Sequence, residues 1–158
     1  MAGEARAGGT SPGKRKRLAR PQIAGWRRAG VDVMVPLSTA KEEREFDLWE
    51  EPGAATGQGM EFISFLIPDR HVPDSEERTA EVVERVDAGL ESGGNTVIHC
   101  RQGVRRSGLM APCLLVTHGI DSNTAVVRLG VARGVTIPET LEQRRSIYAY
   151  AATSASIK

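Results

Sequence analysis

The stretch NTVIHCRQGVRRSGLMAPCLL, residues 95–115, sets one of the chain's two cysteines at the end of a β-branched run and inside a cluster of arginines. Cys100 is followed by Arg101, Arg105 and Arg106, with Gly103 and Gly108 between them and an apolar segment. A strand-to-helix loop of this kind points backbone N–H groups outward at a helix amino terminus, which favours an anion. A thiol in that field, beside fixed guanidinium charge, has its thiolate favoured; such cysteines titrate at roughly 3.5 to 7.5 instead of about 8.5. The residues describe a nucleophile at the base of an anion cradle. Its donors are the amides of Arg101, Gln102, Gly103, Val104, Arg105 and Arg106, and Gly103 permits a positive φ or a close approach. The loop does not follow the GxxxxGKS/T pattern, so no nucleoside-triphosphate reading is licensed.

A loop can hold such a site only if a strand and a helix fix its two ends. Residues 95–99 read as a strand, and Gly108 to His118 as an apolar helix closed by Gly119. Upstream, Ile23 and Trp26 lie three apart in a short helical pattern over Gln22 to Ala29, and VDVMVPL, residues 31–37, reads as a buried strand. Residues 39–50 read as an acidic helix ended by Pro52, Gly53 and Gly57. MEFISFLI, residues 60–67, is a second strong strand, broken by Pro68. Asp74 or Ser75 caps a helix over 76–91 with a stripe of Thr79, Val82, Val83, Val86 and Leu90. Asp121 or Ser122 caps another through Ala132, and a last helix begins near Pro138, carrying Leu141, Ile147, Tyr148 and Tyr150. Strands separated by crossover helices predict an α/β fold, a small, largely parallel sheet with helices on both faces.

The chain has 158 residues, 40% of them apolar, enough for one domain with one sizeable core. Residues 1–21 are expected to form a flexible basic arm and 22–158 a single catalytic domain. The net charge of +1 hides a basic run between Lys14 and Arg28 set against acidic stretches at 42–51 and 74–91. That run reads as a solvated arm, and without interleaved aromatics it does not predict a nucleic-acid partner. Cys100 and Cys113 give neither a disulfide framework nor metal-ligand spacing, so no structural metal is expected. No apolar run is long enough for a signal-peptide core or a membrane span, which makes a reducing, cytoplasmic setting the default expectation.

His99, Cys100, Gly103, Arg106, Ser107 and Gly108 fit H-C-x-x-G-x-x-R-S-G at every defined position. The chain thereby resembles the cysteine-dependent protein-tyrosine and dual-specificity phosphatases, in particular small bacterial or atypical members. FISFLIPDRHVPDS resembles the segment that carries their general-acid aspartate, and TIPETLEQRR, residues 136–145, resembles the segment after their loop. Residues 22–150 align by eye with such a domain, the front end least well.

The resemblance implies a role for each residue. Cys100 attacks phosphorus and forms a cysteinyl-phosphate, and Arg106 holds two equatorial oxygens through its planar fork. Ser107 hydrogen-bonds the thiolate and eases its departure, and His99 orients the loop beneath the cysteine. Asp69 is the general acid, with Asp74 as its competitor, and Gln143, with Thr140, helps to position water or the loop. Cys113 is a core thiol, with a redox partnership to Cys100 as the other reading. No cofactor and no metal is implied, only a phosphorylated protein or other phosphomonoester and a phosphate-like anion in the loop. A phosphoinositide or RNA 5′-phosphate substrate, or a catalytically weak phosphate-binding module, are the alternative functions. Sulfur transfer ranks lower, because the R-S-G ending and the proline-flanked aspartate favour phosphate.

Overall fold

The computed structural model describes residues 12–100 and 106–156. Three short strands, β1 (Val33–Pro36), β2 (Glu61–Phe62) and β3 (Thr96–His99), form one sheet in the order β2-β1-β3, parallel throughout. Val33 stands opposite both Glu61 and Thr96, and Pro36 opposite His99. The ladder continues past β2 in an extended segment, where Ile63, Phe65 and Ile67 donate to the carbonyls of Met34, Pro36 and Leu37. The run 60–67 is therefore extended as expected, although only its first residues pair regularly.

Among the described residues seven helices surround the sheet: α1 (Pro12–Arg28), α2 (Ala40–Glu45), α3 (Glu51–Gly57), α4 (Glu76–Glu91), α5 (Ser107–Thr117), α6 (Ser122–Arg133) and α7 (Leu141–Ser156). Alternation along β1 divides the interior. Val33, Val35 and Leu37 share a core with Val82, Val83 and Val86 of α4, Leu109 and Cys113 of α5, and Ile147 of α7. Met34 faces the other way, onto Ile23 of α1, Ala55 of α3 and Met60. Helices cover both faces, as the alternation of strand and helix signals predicts.

Three expectations need correction. Residues 12–21 are helical, so the first helix begins at Pro12 and not at Gln22; proline is suited to a first helical turn, where its missing N–H costs nothing. The acidic helix of 39–50 stops at Glu45, and Pro52 lies in the first turn of α3 instead of ending a helix. In α4 the apolar stripe holds except at Leu90, which is 41% exposed, and the cap is Ser75, whose hydroxyl accepts from the Arg78 amide, not Asp74. Among the described residues no helix is long and apolar enough to cross a membrane, and no cluster of His, Cys, Asp and Glu is arranged to hold a metal ion.

Candidate active site

The carboxyl ends of the strands converge on one place. His99 is the last residue of β3, and its carbonyl accepts from the Leu37 amide just beyond β1. Cys100 follows, buried at 8% exposure, and Arg106 and Ser107 reappear at the start of α5, both buried. Arg101, Gln102, Gly103, Val104 and Arg105, the residues whose amides the sequence reading placed around an anion, lie outside the described residues.

Arg106 carries the information in this site, because a guanidinium has five N–H hydrogens and each must be accounted for once buried. Its Nη1 and Nη2 donate to the two carboxylate oxygens of Glu42 at 2.7 and 2.8 Å. Nη1 also donates to the carbonyls of Leu37 and Ile67, at 3.2 and 3.0 Å, which end β1 and the extended segment after β2. The guanidinium is thus clamped along its end edge. Its Nε is buried and has no partner among the described residues. Nε–H and the second Nη2 hydrogen share the side edge, two parallel donors at the spacing that matches two oxygens of a phosphate.

Glu42 was not singled out in the sequence. It belongs to α2, where Thr39 caps the helix and Glu42 returns a bond to the Thr39 amide at 2.8 Å, a reciprocal capping box. The T-x-x-E spacing announces that local bond; nothing local announces the arginine 64 residues away. The Arg106 hydrogen bonds hold Glu42 down at about 2 against the burial that would raise it, so it is ionised throughout the working range. Burial alone would pull the Arg106 guanidinium down, but the Glu42 bonds and charge, with the charges of Cys100 and Asp69, outweigh it.

Asp69 is exposed in the loop after the extended segment, close enough to act on Arg106 electrostatically. Pro68 accepts from the His71 amide, and Arg70 takes a positive φ of 64°, so the chain turns sharply right after Asp69. Gln143, fully buried in the first turn of α7, donates to the His71 carbonyl at 3.2 Å and accepts from the Glu139 amide. It ties the aspartate loop to the segment after α6, while the Thr140 hydroxyl caps α7 at the Gln143 amide. Asp74 is exposed, five residues beyond Asp69. Cys113 is inside the core, its thiol on the Leu109 carbonyl and pushed up to about 12 by burial, which suits an inert thiol.

At the end of β3, His99 stacks at a tilt on Trp26, ring centroids 5.4 Å apart, with Nε2 3.7 Å from a carboxylate oxygen of Glu51. This is not an ion pair. Burial pushes His99 down to about 4, and burial, with the Glu43 charge, pushes Glu51 up to about 7, so near pH 6 both are neutral. The signs oppose each other. Glu51 loses stability as pH rises from its ordinary 4.5 through about 7, whereas His99 loses it as pH falls from its ordinary 6.5 through about 4. Glu51→Gln removes only the alkaline loss. We expect the variant's stability relative to wild type to grow by roughly 2 kcal/mol between about pH 5 and about pH 8, read from urea midpoints. A difference that does not change with pH would mean Glu51 is ionised and solvated.

The chain matches, over residues 7–120, the family model Tc-R-P, described as polymorphic toxin system, DSP-PTPase phosphatase. No curated protein matches it. Among solved structures it is similar to kinase associated phosphatase carrying a serine for its catalytic-site cysteine, at 20% identity and TM-score 0.77, covering 87% of this chain and 78% of that one. It is similar to PTPMT1 in complex with PI(5)P at 15% identity and TM-score 0.74, covering 90% and 88%. It is also similar to human DUSP28, at 19% identity and TM-score 0.66, covering 87% and 85%. At these identities the likeness speaks to the fold, a phosphatase-type α/β fold.

Proposed function

The chain belongs to the DSP-PTPase phosphatase family of polymorphic toxin systems, and on that premise we propose that it hydrolyses phosphomonoesters on protein side chains through a cysteinyl-phosphate. Phosphotyrosine, alone or with phosphoserine and phosphothreonine, is the substrate of this reading. The observation that carries it is the half-used guanidinium of Arg106. A buried cation whose end edge is clamped, whose Nε lacks an acceptor among the described residues, and which feels the charge of Cys100, is built to receive a dianion.

In the first displacement the Cys100 thiolate attacks phosphorus in line, the open edge of Arg106 takes two equatorial oxygens, and Asp69 protonates the leaving oxygen. In the second, water attacks the cysteinyl-phosphate, its proton passes to the Asp69 carboxylate, and sulfur departs as a thiolate next to Ser107. The protein's own groups supply every charge and proton in this scheme, and no cofactor enters it.

The test is to quench para-nitrophenyl phosphate turnover with acid and search for phosphate on Cys100 by peptide mass, with Asp69→Asn measured alongside. Asp69→Asn is expected to lower kcat about 10²-fold, the scale of a lost general acid. Turnover without phosphocysteine would defeat the covalent route, and an unimpaired Asp69→Asn would pass the acid role to Asp74. A phosphoinositide substrate is the second reading, supported by the similar fold of PTPMT1 solved with PI(5)P and by the charges of Arg101 and Arg105. Comparing kcat/KM for a phosphotyrosine peptide and for PI(5)P decides between the two. Tight binding of the peptide without turnover would leave the phosphate-binding module.

A further inference from the structure

The geometry points to Arg133 as a positioning residue for the second displacement, acting through Ser107; we infer this on the cysteinyl-phosphate reading above. Arg133 is the last residue of α6, and Gly134, at φ 66°, closes that helix in the left-handed conformation. Gly108 lets the segment after α6 pack onto the first turn of α5, and Gly130 lets it fold back against α6. A Cβ on Gly108 would lie 2.9 Å from Ile137 Cγ2, and one on Gly130 3.1 Å from the Val135 carbonyl oxygen. That close approach lets the Arg133 side chain reach back, and its Nη1 donates to the Ser107 hydroxyl at 2.9 Å. Ser107 is 4% exposed, so its end of this part-buried bond is shielded from water.

A serine hydroxyl has one hydrogen and two lone pairs. When a guanidinium occupies one lone pair, the rotor is fixed and its hydrogen is committed to a different acceptor. The charge-assisted bond also polarises the O–H, which makes it a better donor. The group that gains from a better donor is a sulfur taking on negative charge. In the second displacement the water oxygen bonds to phosphorus, the P–S bond breaks with its electron pair going to Cys100 Sγ, and the water's proton goes to Asp69. Arg133 lowers the cost of placing that pair on sulfur. A cation in the last turn of a helix also complements the helix dipole, but that role changes stability and not one chemical step.

Rapid-quench kinetics separate the two. Arg133→Met is expected to slow decay of the phosphoenzyme about tenfold, the worth of one charge-assisted hydrogen bond, while its formation changes less than about twofold. Phosphoenzyme then accumulates and nitrophenolate appears in a burst. Arg133→Lys restores part of the decay rate, and Arg133→Met with Ser107→Ala is no slower than Ser107→Ala alone. The inference is overturned if decay is unchanged, if the loss falls on KM or on the formation step, or if the two substitutions add. Absence of phosphocysteine in the wild type would defeat the parent reading itself. Phosphocysteine whose decay ignores Arg133→Met would defeat this inference alone.

Discussion

Replacing Cys100 with serine is expected to abolish turnover, by roughly 10⁴-fold or more, with the fold and the affinity for phosphate retained. A serine oxygen has nearly the same shape but stays protonated, so it presents no anion to phosphorus. The anion-binding groups do not depend on the sulfur: Arg106 is held by Glu42, Leu37 and Ile67, all outside the loop. Phosphate protection against thermal unfolding should therefore survive the substitution, and by mass action it reports the retained affinity directly. The chain's two cysteines make the chemistry countable. Cys113 is 1% exposed with its thiol pushed up to about 12, so one fast equivalent of iodoacetate should react in the native protein, vanish in Cys100→Ser and persist in Cys113→Ala. No fast equivalent, or residual turnover in Cys100→Ser, would remove the sulfur from the reaction.

What could be read from the chain divides along a physical line. Elements whose signal is local were legible: the stripe of Thr79, Val82, Val83 and Val86 on α4, the β-branched run ending at His99, and the glycine that closes α5. Where local signals conflict, tertiary contacts decide. Pro52 reads as a stop after an acidic stretch, yet it lies in the first turn of α3, because Ala55 less than one turn on has an apolar pocket with Ile23, Met34 and Met60 to fill. Leu90 completes a stripe on paper but is left 41% exposed at the end of α4.

The site divides in the same way. Cys100, Arg106 and Ser107 stand within eight residues and are visible as a pattern. Their supports are not. Glu42 lies 64 residues from Arg106 and Arg133 26 residues from Ser107, and each reaches its partner only because strands and helices carry it there. Gln143 was legible as a residue of interest, but its link to the His71 carbonyl, 72 residues away, is a property of the fold.

The support with the greatest leverage is Glu42, and it should behave as one unit with Arg106. Arg106→Lys is expected to lower kcat roughly 10³-fold or more, because an ammonium cannot offer two parallel donors to the transferring phosphoryl group while also satisfying Glu42 and two carbonyls. Glu42→Gln keeps the shape and removes the charge, so its effect isolates the clamp. The guanidinium then keeps one acceptor but meets an amide NH2 in place of the second carboxylate oxygen, can rotate off the plane that aims Nε and Nη2 at phosphate, and remains buried with an uncompensated charge. We expect a fall in kcat on the order of 10²-fold and a loss of about 3 kcal/mol in stability, the lower end of the range for breaking a buried pair because Glu42 keeps some solvent contact. The pH signature follows from Glu42 being held at about 2. Its stabilisation is complete above the ordinary value of 4.5 and is lost as pH falls from there through about 2, so the wild type should lose stability in that window relative to Glu42→Gln. Because a clamp without its arginine has nothing to aim, the double variant should be no slower than Arg106→Lys alone. Additive losses would show that the two side chains serve catalysis separately, and an unimpaired Glu42→Gln would show that the carbonyls of Leu37 and Ile67 suffice to hold the guanidinium in place.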